Sequence, residues 1–198
     1  MRTAPARDRF FIGRSYPIPR WTYAGSLQGR ISTMSGRVEW VLTALEQAGV
    51  RYLVVGGVAV VLHGYLRTTL DLDLVLQLNR DNLERALRAF GDLGFRPQAP
   101  VPLSSFADAQ NRETWSREKN MTVFSLWQPD HPGFAVDLFV QEPFDFDAVY
   151  RRALRVPLQG VEATVVSRDD LLEMKRATGR TRDLEDIEAL SELPGEEA

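Results

Sequence analysis

Hydrophobic and polar residues follow two periods along this chain, one typical of helices and one typical of strands. Apolar residues recur at helical spacing over 35–48 and 80–90, which predicts two helices with one apolar face each. Leucine occupies every second position over 70–76, the period of a strand with one face in a core. The same criteria predict a buried strand over 52–55, a short helix over 58–63, strands over 121–127 and 134–140, a hairpin over 156–166, and closing helices over 168–178 and 181–193. The pattern as a whole is typical of a mixed α/β protein.

Residues with special backbone chemistry mark where the predicted elements begin and end. Ser35 is expected to cap the first helix and Gly49 to end it. Gly160 is expected in the turn of the hairpin. Three prolines deny regular structure to residues 97–108, so this segment is expected to form a loop.

The first thirty residues differ in composition from the rest of the chain. They contain six arginines against a single aspartate, so they carry about +5, and the remainder carries about −8 of the net charge of −3. Frequent proline and glycine without a helical or strand period predict an unfolded or loosely held arm over residues 1–33. Aromatic residues between the arginines would allow this arm to contact nucleic acid. A single folded domain is then expected over residues 34–198, with the closing helices at 168–193.

Composition narrows the classes of protein to which the chain can belong. With 198 residues, 44% of them hydrophobic and 26% charged, the chain is long enough to bury one core. The lack of cysteine excludes disulfides, thiolate zinc sites, iron–sulfur clusters and a cysteine nucleophile. The longest apolar run, over 52–62, is too short to span a membrane, and the N-terminus lacks the apolar segment of a secretory signal. We therefore expect a cytoplasmic protein without a membrane partner.

A glycine pair and an aspartate pair lie close together in the sequence and are the first candidates for chemistry. Gly56 and Gly57 join the buried strand to the short helix, where backbone N–H groups could approach a phosphate closely. Asp71 and Asp73 alternate with leucines, so both carboxylates are expected on the accessible face of their strand. Two carboxylates placed in this way can hold a divalent metal ion. This segment predicts a site for a metal-bound nucleotide.

Asp137 is the third acidic candidate, because it interrupts an otherwise apolar strand. A charge in such a strand is costly when buried alone and is usually paired or bound to metal. If this strand lies beside 70–76, three carboxylates converge, and two divalent ions would neutralise them and bridge the phosphates of a nucleotide. In this interpretation Asp71 and Asp73 are shared metal ligands. Asp137 completes one metal site and accepts the proton of an attacking hydroxyl.

Other polar residues have a structural interpretation beside the functional one. Arg67 precedes Asp71 by four residues and would either reach a triphosphate or offset the charge of the aspartates. His63 is expected to pack or hydrogen-bond rather than to bind a metal. Lys175 is one of two lysines in the chain, and we favour a functional role for it. Four acidic residues of the last helix are expected on a solvated face; they are Asp183, Glu185, Asp186 and Glu188.

These motifs and their order resemble a known superfamily. A strand, Gly-Gly, a helix and then Asp-x-Asp on the next strand, with a later strand aspartate, resemble the DNA polymerase β-like nucleotidyltransferases. Within that superfamily the chain is similar to the bacterial AbiEii-type nucleotidyltransferases of abortive-infection and toxin–antitoxin systems. The segments that carry this similarity are Gly56-Gly57-x-Ala59, His63-Gly64, Arg67-x-Thr69, Asp71-Leu72-Asp73-Leu74, Asp170-Leu171-Leu172-Glu173-Met174-Lys175, Gly179-Arg180 and Arg182-Asp183-Leu184-x-Asp186.

The resemblance implies a nucleotidyltransferase fold, in which helices flank a mixed β-sheet. It implies transfer of a nucleoside monophosphate from a nucleoside triphosphate to an acceptor hydroxyl, with release of pyrophosphate and with Mg²⁺ or Mn²⁺ as cofactor. The residues that it implies for nucleotide binding are Gly56, Gly57, Arg67, Thr69 and Lys175, and those for metal binding and catalysis are Asp71, Asp73 and Asp137. It further implies a toxin-like role beside an antitoxin-type partner. The chain departs from the AbiEii-type toxins in being short, which affects the part that binds the acceptor.

Several alternatives stay open at this point. The acceptor hydroxyl belongs to RNA, a protein or a small molecule; an acidic body slightly favours the last two, whereas the arginine arm favours RNA. A small-molecule adenylyltransferase of the antibiotic-resistance type is one rival. A non-catalytic nucleotide- or partner-binding module of the same fold is another, although retention of all the glycines and aspartates argues against it. The sequence has no Walker-type or G-x-G-x-x-G motif and no evident serine–histidine–acid arrangement, which disfavours those chemistries.

Overall fold

The computed structural model describes residues 28–193, and it describes side chains from Gly36 onward. Within these residues seven strands form one mixed sheet. The strands are β1 (Tyr52–Val54), β2 (Asp71–Leu76), β3 (Arg96–Pro97), β4 (Val123–Trp127), β5 (Ala135–Phe139), β6 (Leu154–Leu158) and β7 (Val161–Val165). The helices are α1 (Gln28–Gln47), α2 (Gly56–Leu62), α3 (Arg80–Asp92), α4 (Ala109–Lys119), α5 (Phe146–Arg151), α6 (Arg168–Thr178) and α7 (Thr181–Glu192), with a 3₁₀ helix over Leu103–Ala107. This is the mixed α/β architecture predicted from the hydrophobic periods. Of the helices described, none is both long and apolar enough to cross a membrane.

The order of the strands brings the two aspartate-bearing strands together. Across the sheet the order is β3-β4-β5-β2-β1-β7-β6. β2 runs parallel to β5 and antiparallel to β1. The last residue of β1 and the first residue of β2 therefore lie towards the same end of the strands. The strand of Asp137 therefore lies beside that of Asp71 and Asp73, which is the condition under which the three carboxylates were expected to converge.

The two faces of β2 have opposite chemistry. Leu72, Leu74 and Leu76 are at most 1% exposed and belong to the hydrophobic core, while Asp71 on the other face is exposed. The leucine alternation therefore predicted the core face correctly, whereas on the other face Asp73 is only partly accessible and Val75 is buried. Leu70 is an exception, because it precedes the strand and is 63% exposed.

The first helix begins earlier than the sequence predicted. α1 starts at Gln28, so Ser35 lies inside the helix and is not its N-cap. The added turns contain no proline, so nothing in the backbone prevents the helix from extending through them. The helix ends just before Gly49, as predicted, and that glycine has a φ of +64°. Residues 28–33 are thus helical, and the prediction of an arm over 1–27 lies outside the described residues.

Several short elements were missed by the sequence analysis. The expected loop over 97–108 contains part of β3 and the 3₁₀ helix, and Pro97 is tolerated in β3 because that strand lies at the edge of the described sheet. α4 was not predicted because only Arg112 and Trp115 of its residues are buried, which leaves no apolar period to detect. α5 has six residues, too few for a helical period to be visible.

Candidate active site

Three aspartates lie on one face of the sheet where β2 and β5 are paired. Asp73 is directly opposite Asp137, and Asp71 is opposite Ala135. Paired residues on neighbouring strands point to the same face, and the strands are about 4.8 Å apart. Asp71 points to that face as well, because it is two residues from Asp73 on the same strand. The structure thus brings together the three carboxylates that the sequence singled out.

Burial and neighbouring charge raise the pKa of two of these aspartates. Burial raises the pKa of Asp73 to about 6, and the carboxylates of Asp137 and Asp71 add to the effect. The N–H of Gly57 donates to Asp73 Oδ2 at 3.4 Å and opposes the rise in the pKa of Asp73, as does the ammonium of Lys175. Burial, followed by the charge of Asp137, also raises the pKa of Asp71. Both shifts mean that the ionised forms of Asp71 and Asp73 are less stable here than in water.

The donor chemistry of these residues fits Mg²⁺ or Mn²⁺, whose preferred ligands include carboxylate oxygens. A bound cation would stabilise the charged forms of Asp71 and Asp73, which burial and, secondarily, the neighbouring carboxylates disfavour. In the part of the chain described with side chains, no three acidic or imidazole groups already surround one point as a metal site. Asp71, Asp73 and Asp137 would thus supply an incomplete set of ligands, which phosphate oxygens and water would complete.

The glycine pair is packed against the side chains of this site. Gly56 has a φ of +61°, and a Cβ at this position would lie 2.0 Å from Asp73 Oδ2. A Cβ at Gly57 would lie 2.4 Å from Thr69 Oγ1 and 2.5 Å from Arg67 Nη2. The sequence analysis expected glycine here so that a phosphate could approach the backbone. The structure gives an additional reason, since the side chains of the site occupy the space above both glycines.

Arg67 is paired with a residue that the sequence analysis had not connected to it. Its Nε lies 3.1 Å from Oδ1 of Asp186 in α7, and its side chain is 14% exposed. Burial lowers the pKa of the Arg67 guanidinium, and the carboxylates of Asp186 and Asp73 oppose this shift. Arg67 therefore lies between the three aspartates and α7. The sequence analysis had considered contacts of Arg67 with a triphosphate or with the aspartates, but none with α7.

Lys175 and Asp186 form a buried ion pair between α6 and α7. Lys175 Nζ lies 2.6 Å from Asp186 Oδ2 and 3.3 Å from Asp183 Oδ1, and Lys175 and Asp186 are 4% and 1% exposed. The expectation of a solvated acidic face was wrong for Asp186, because α6 packs against this side of α7, and it holds for Glu185 and Glu188, which are exposed.

Two further residues of the predicted motifs have structural contacts. His63 Nε2 lies 2.9 Å from the carbonyl oxygen of Val166, which confirms that it hydrogen-bonds. The carboxylate of Asp183 accepts hydrogen bonds from the Arg180 N–H at 3.2 Å and from Thr178 Oγ1 at 2.8 Å, and so fixes the start of α7. The burial of Asp186 had one signal in the sequence, since it precedes the buried Leu190 by one helical turn.

A mixed sheet with aspartates on two adjacent strands and a glycine turn beside them is the arrangement of the nucleotidyltransferase fold, and solved structures of that fold resemble this one. Lincosamide antibiotic adenylyltransferase LnuA, bound to lincomycin, matches with a TM-score of 0.56 and 14% identity over 80% of this chain and 97% of that chain. The solution structure of the antibiotic-resistance factor ANT(2'')-Ia matches with a TM-score of 0.56 and 12% identity over 80% of this chain and 83% of that chain. At these identities the likeness shows the fold.

A family model relates the chain to other sequences more specifically than the likeness of folds does. It matches residues 37–193, and the chain belongs to this family, the nucleotidyltransferases of unknown function (DUF6036). No curated protein matches the chain. The prediction of a nucleotidyltransferase is therefore confirmed at the level of the family. The assignment to the DNA polymerase β-like superfamily and the closer similarity to AbiEii-type enzymes stay predictions.

Proposed function

We propose that this protein is a nucleotidyltransferase, dependent on Mg²⁺ or Mn²⁺, that moves a nucleoside monophosphate from a nucleoside triphosphate to an acceptor hydroxyl. The observation that carries the proposal is the pairing of Asp73 with Asp137 on adjacent parallel strands, with Asp71 on the same face. Membership of a nucleotidyltransferase family supports it. The raised pKa values of Asp71 and Asp73 also support it, because they indicate a place where a cation would be stabilised.

The residues of the site have distinct roles in this reaction. Asp71, Asp73 and Asp137 would hold the divalent cation, which when bound stabilises the charge that develops on the phosphates. Asp137 accepts the proton of the acceptor hydroxyl while the hydroxyl oxygen bonds to the α-phosphorus. The bond between that phosphorus and the oxygen that bridges it to the β-phosphate breaks, which releases pyrophosphate. Arg67, beside Gly57, supplies positive charge for the triphosphate. Thr69, whose hydroxyl also lies against Gly57, is the second side chain placed to contact the nucleotide.

A small-molecule acceptor is the form of this function that a specific observation favours. LnuA and ANT(2'')-Ia, which this fold resembles, are an antibiotic adenylyltransferase and an antibiotic-resistance factor, and this chain matches 97% and 83% of their lengths. RNA or protein as acceptor, in a cytoplasmic toxin-like protein with an antitoxin-type partner, is the alternative that the AbiEii-type motifs favour. The assay below separates these acceptors.

Transfer of label from a nucleotide tests the proposal. The purified protein is incubated with each α-labelled nucleoside triphosphate, Mg²⁺ or Mn²⁺, and a cell extract separated afterwards into RNA, protein and small molecules. We expect label in one fraction, and a loss of at least about a hundredfold in Asp71→Asn or Asp73→Asn. Asp92→Asn, which changes an exposed carboxylate at the end of α3, is the matched control and should keep full activity.

Two results would contradict the proposal. Full transfer by either site variant would remove these aspartates from the mechanism. Metal-dependent binding of a nucleotide without transfer to any fraction would instead identify a non-catalytic binding module.

A further inference from the structure

We propose that helices α6 and α7 position Arg67 for the nucleotide, and that Lys175 acts through Asp186 rather than on the phosphates. We call Arg67, Lys175, Asp183 and Asp186 the α6–α7 clamp. This inference rests on the proposed function, and it assigns Lys175 and Asp186 as positioning residues of the same site.

Asp186 is the centre of the clamp, because each of its carboxylate oxygens faces a different cation. Oδ1 lies 3.1 Å from Arg67 Nε, and Oδ2 accepts a hydrogen bond from Lys175 Nζ at 2.6 Å. The Arg67 N–H does not point along a hydrogen-bond direction to Oδ1, so this contact is an ion pair. Asp186 is 1% exposed, so water cannot replace either partner.

The charges of the clamp balance only when all four groups are present. Two cations face two carboxylates, since Lys175 contacts Asp183 as well as Asp186. Without Asp186, Arg67 would lose its buried partner and would be repelled by Lys175. Without Lys175, Asp186 would keep a single cation and would draw Arg67 more strongly towards α7. The position of Arg67 therefore depends on both residues of the buried pair.

Lys175 is held by two carboxylates of α7. Asp183 contacts its Nζ at 3.3 Å and is itself fixed by Thr178 and by the backbone N–H of Arg180. The side chain of Lys175 is 5% exposed. Two buried carboxylate contacts favour a lysine that stays with α7 over one that moves to a phosphate.

Arg67, by contrast, lies against the backbone turn at which we place the nucleotide. Its Nη2 would be 2.5 Å from a Cβ on Gly57, so the guanidinium rests directly over that residue. α7 holds the same loop at a second point, because the Arg182 side chain donates a hydrogen bond to the carbonyl oxygen of Thr68. Two contacts from α7 thus fix the loop that carries Arg67 and leads into Asp71.

Steady-state kinetics of full-length variants test the clamp. We expect Asp186→Asn and Arg67→Gln each to raise the KM for the nucleoside triphosphate about tenfold with a smaller change in kcat. The double variant should be no worse than Arg67→Gln alone, because both changes remove the same interaction. Asp186→Glu, which keeps the charge but lengthens the side chain, should give an intermediate KM and remains available if the asparagine variant does not fold.

Asp170→Asn is the matched control. Asp170 is also a buried carboxylate of the α6–α7 region, 6% exposed, but it pairs with Arg152 and Ser167 instead of Arg67. Its substitution should lower the melting temperature and leave the KM for the triphosphate unchanged. An equal rise in KM in this control would show that general loosening of the helices, and not the clamp, affects nucleotide binding.

A spectroscopic readout separates failure of the clamp from failure of the proposed function. The Nε–H resonance of Arg67, assigned by its loss in Arg67→Lys, should change in chemical shift in Asp186→Asn, because the carboxylate that lies 3.1 Å from Nε in the wild-type protein loses its charge. An unchanged resonance, or additive effects on KM in the double variant, would overturn the clamp. If the wild-type protein neither binds nor transfers a nucleotide, the proposed function fails, and the resonance alone then decides whether the clamp exists.

Discussion

Replacing Asp73 with asparagine should stabilise the metal-free protein at alkaline pH while abolishing nucleotide transfer. Burial and the neighbouring carboxylates raise the pKa of Asp73 from 3.8 to about 6. The folded state therefore binds this proton more tightly than the unfolded state does. The resulting stability is fully present below pH 3.8 and is lost as the pH rises through 6. A shift of this size corresponds to about 3 kcal/mol at pH 8, as an upper bound for the gain on removing the charge.

Chemical and thermal unfolding in the presence of a chelator measure this effect. At pH 8 we expect Asp73→Asn to be more stable than the wild type by about 1–3 kcal/mol, which is a rise of a few degrees in Tm for a protein of this size. The difference should shrink as the pH falls through 6 and disappear only below pH 3.8, where Asp73 becomes protonated in the unfolded state as well. Adding Mg²⁺ at pH 8 should stabilise the wild-type protein and not the variant.

The control for this prediction is an exposed carboxylate. Asp92→Asn should show no difference from the wild type that changes between pH 4 and pH 8. If Asp73→Asn were equally stable or less stable than the wild type at pH 8 without metal, the ionised Asp73 carboxylate would not destabilise the metal-free fold, and the reasoning would be refuted.

Three further outcomes follow from the geometry of the site. Gly56→Ala should destabilise the fold by at least about 1–2 kcal/mol because of the positive φ at this residue, and by more because the new Cβ would meet Asp73. Urea unfolding should show a smaller loss of stability when the same change is made in an Asp73→Ala background. Equal losses in the two backgrounds would refute the contact. Asp137→Asn should lower kcat at least about a hundredfold in a single-turnover assay at saturating metal and triphosphate, and retained turnover would exclude it as the base. His63→Ala should cost about 1 kcal/mol of unfolding free energy through loss of its contact with the Val166 carbonyl, without changing the KM for the triphosphate.

The parts of the fold that local periodicity records were predictable from the sequence. β2 was found because its leucines alternate, and the closing helices because their apolar residues recur at helical spacing. α4 was not predictable in this way, since its two buried residues, Arg112 and Trp115, form no apolar stripe. The pairing of Asp73 with Asp137 could be stated only as a condition, because a strand register depends on contacts that no local pattern contains.

The burial of polar residues such as Asp186 was also beyond what a local sequence pattern can predict. Asp186 follows Asp183 in an acidic helix, and by local pattern both belong on a solvated surface. Its cationic partners come from the preceding helix α6 and from a loop that precedes β2, and this loop is far away in the sequence. Burial of a charged residue is decided by such distant partners, and for this reason it was not foreseen.

The contact between Gly56 and Asp73 also has a consequence for how sequences of this family can change over time. A side chain at position 56 has no room as long as an aspartate stands at position 73, because their atoms would overlap. Loss of Asp73 would remove this obstacle, although the positive φ at Gly56 would still favour glycine or asparagine. We therefore expect substitutions at the two positions to occur together across relatives, with Asp73 replaced first. A relative that carries a bulky residue at position 56 would then be marked, by that residue alone, as one that has given up the aspartate and its chemistry.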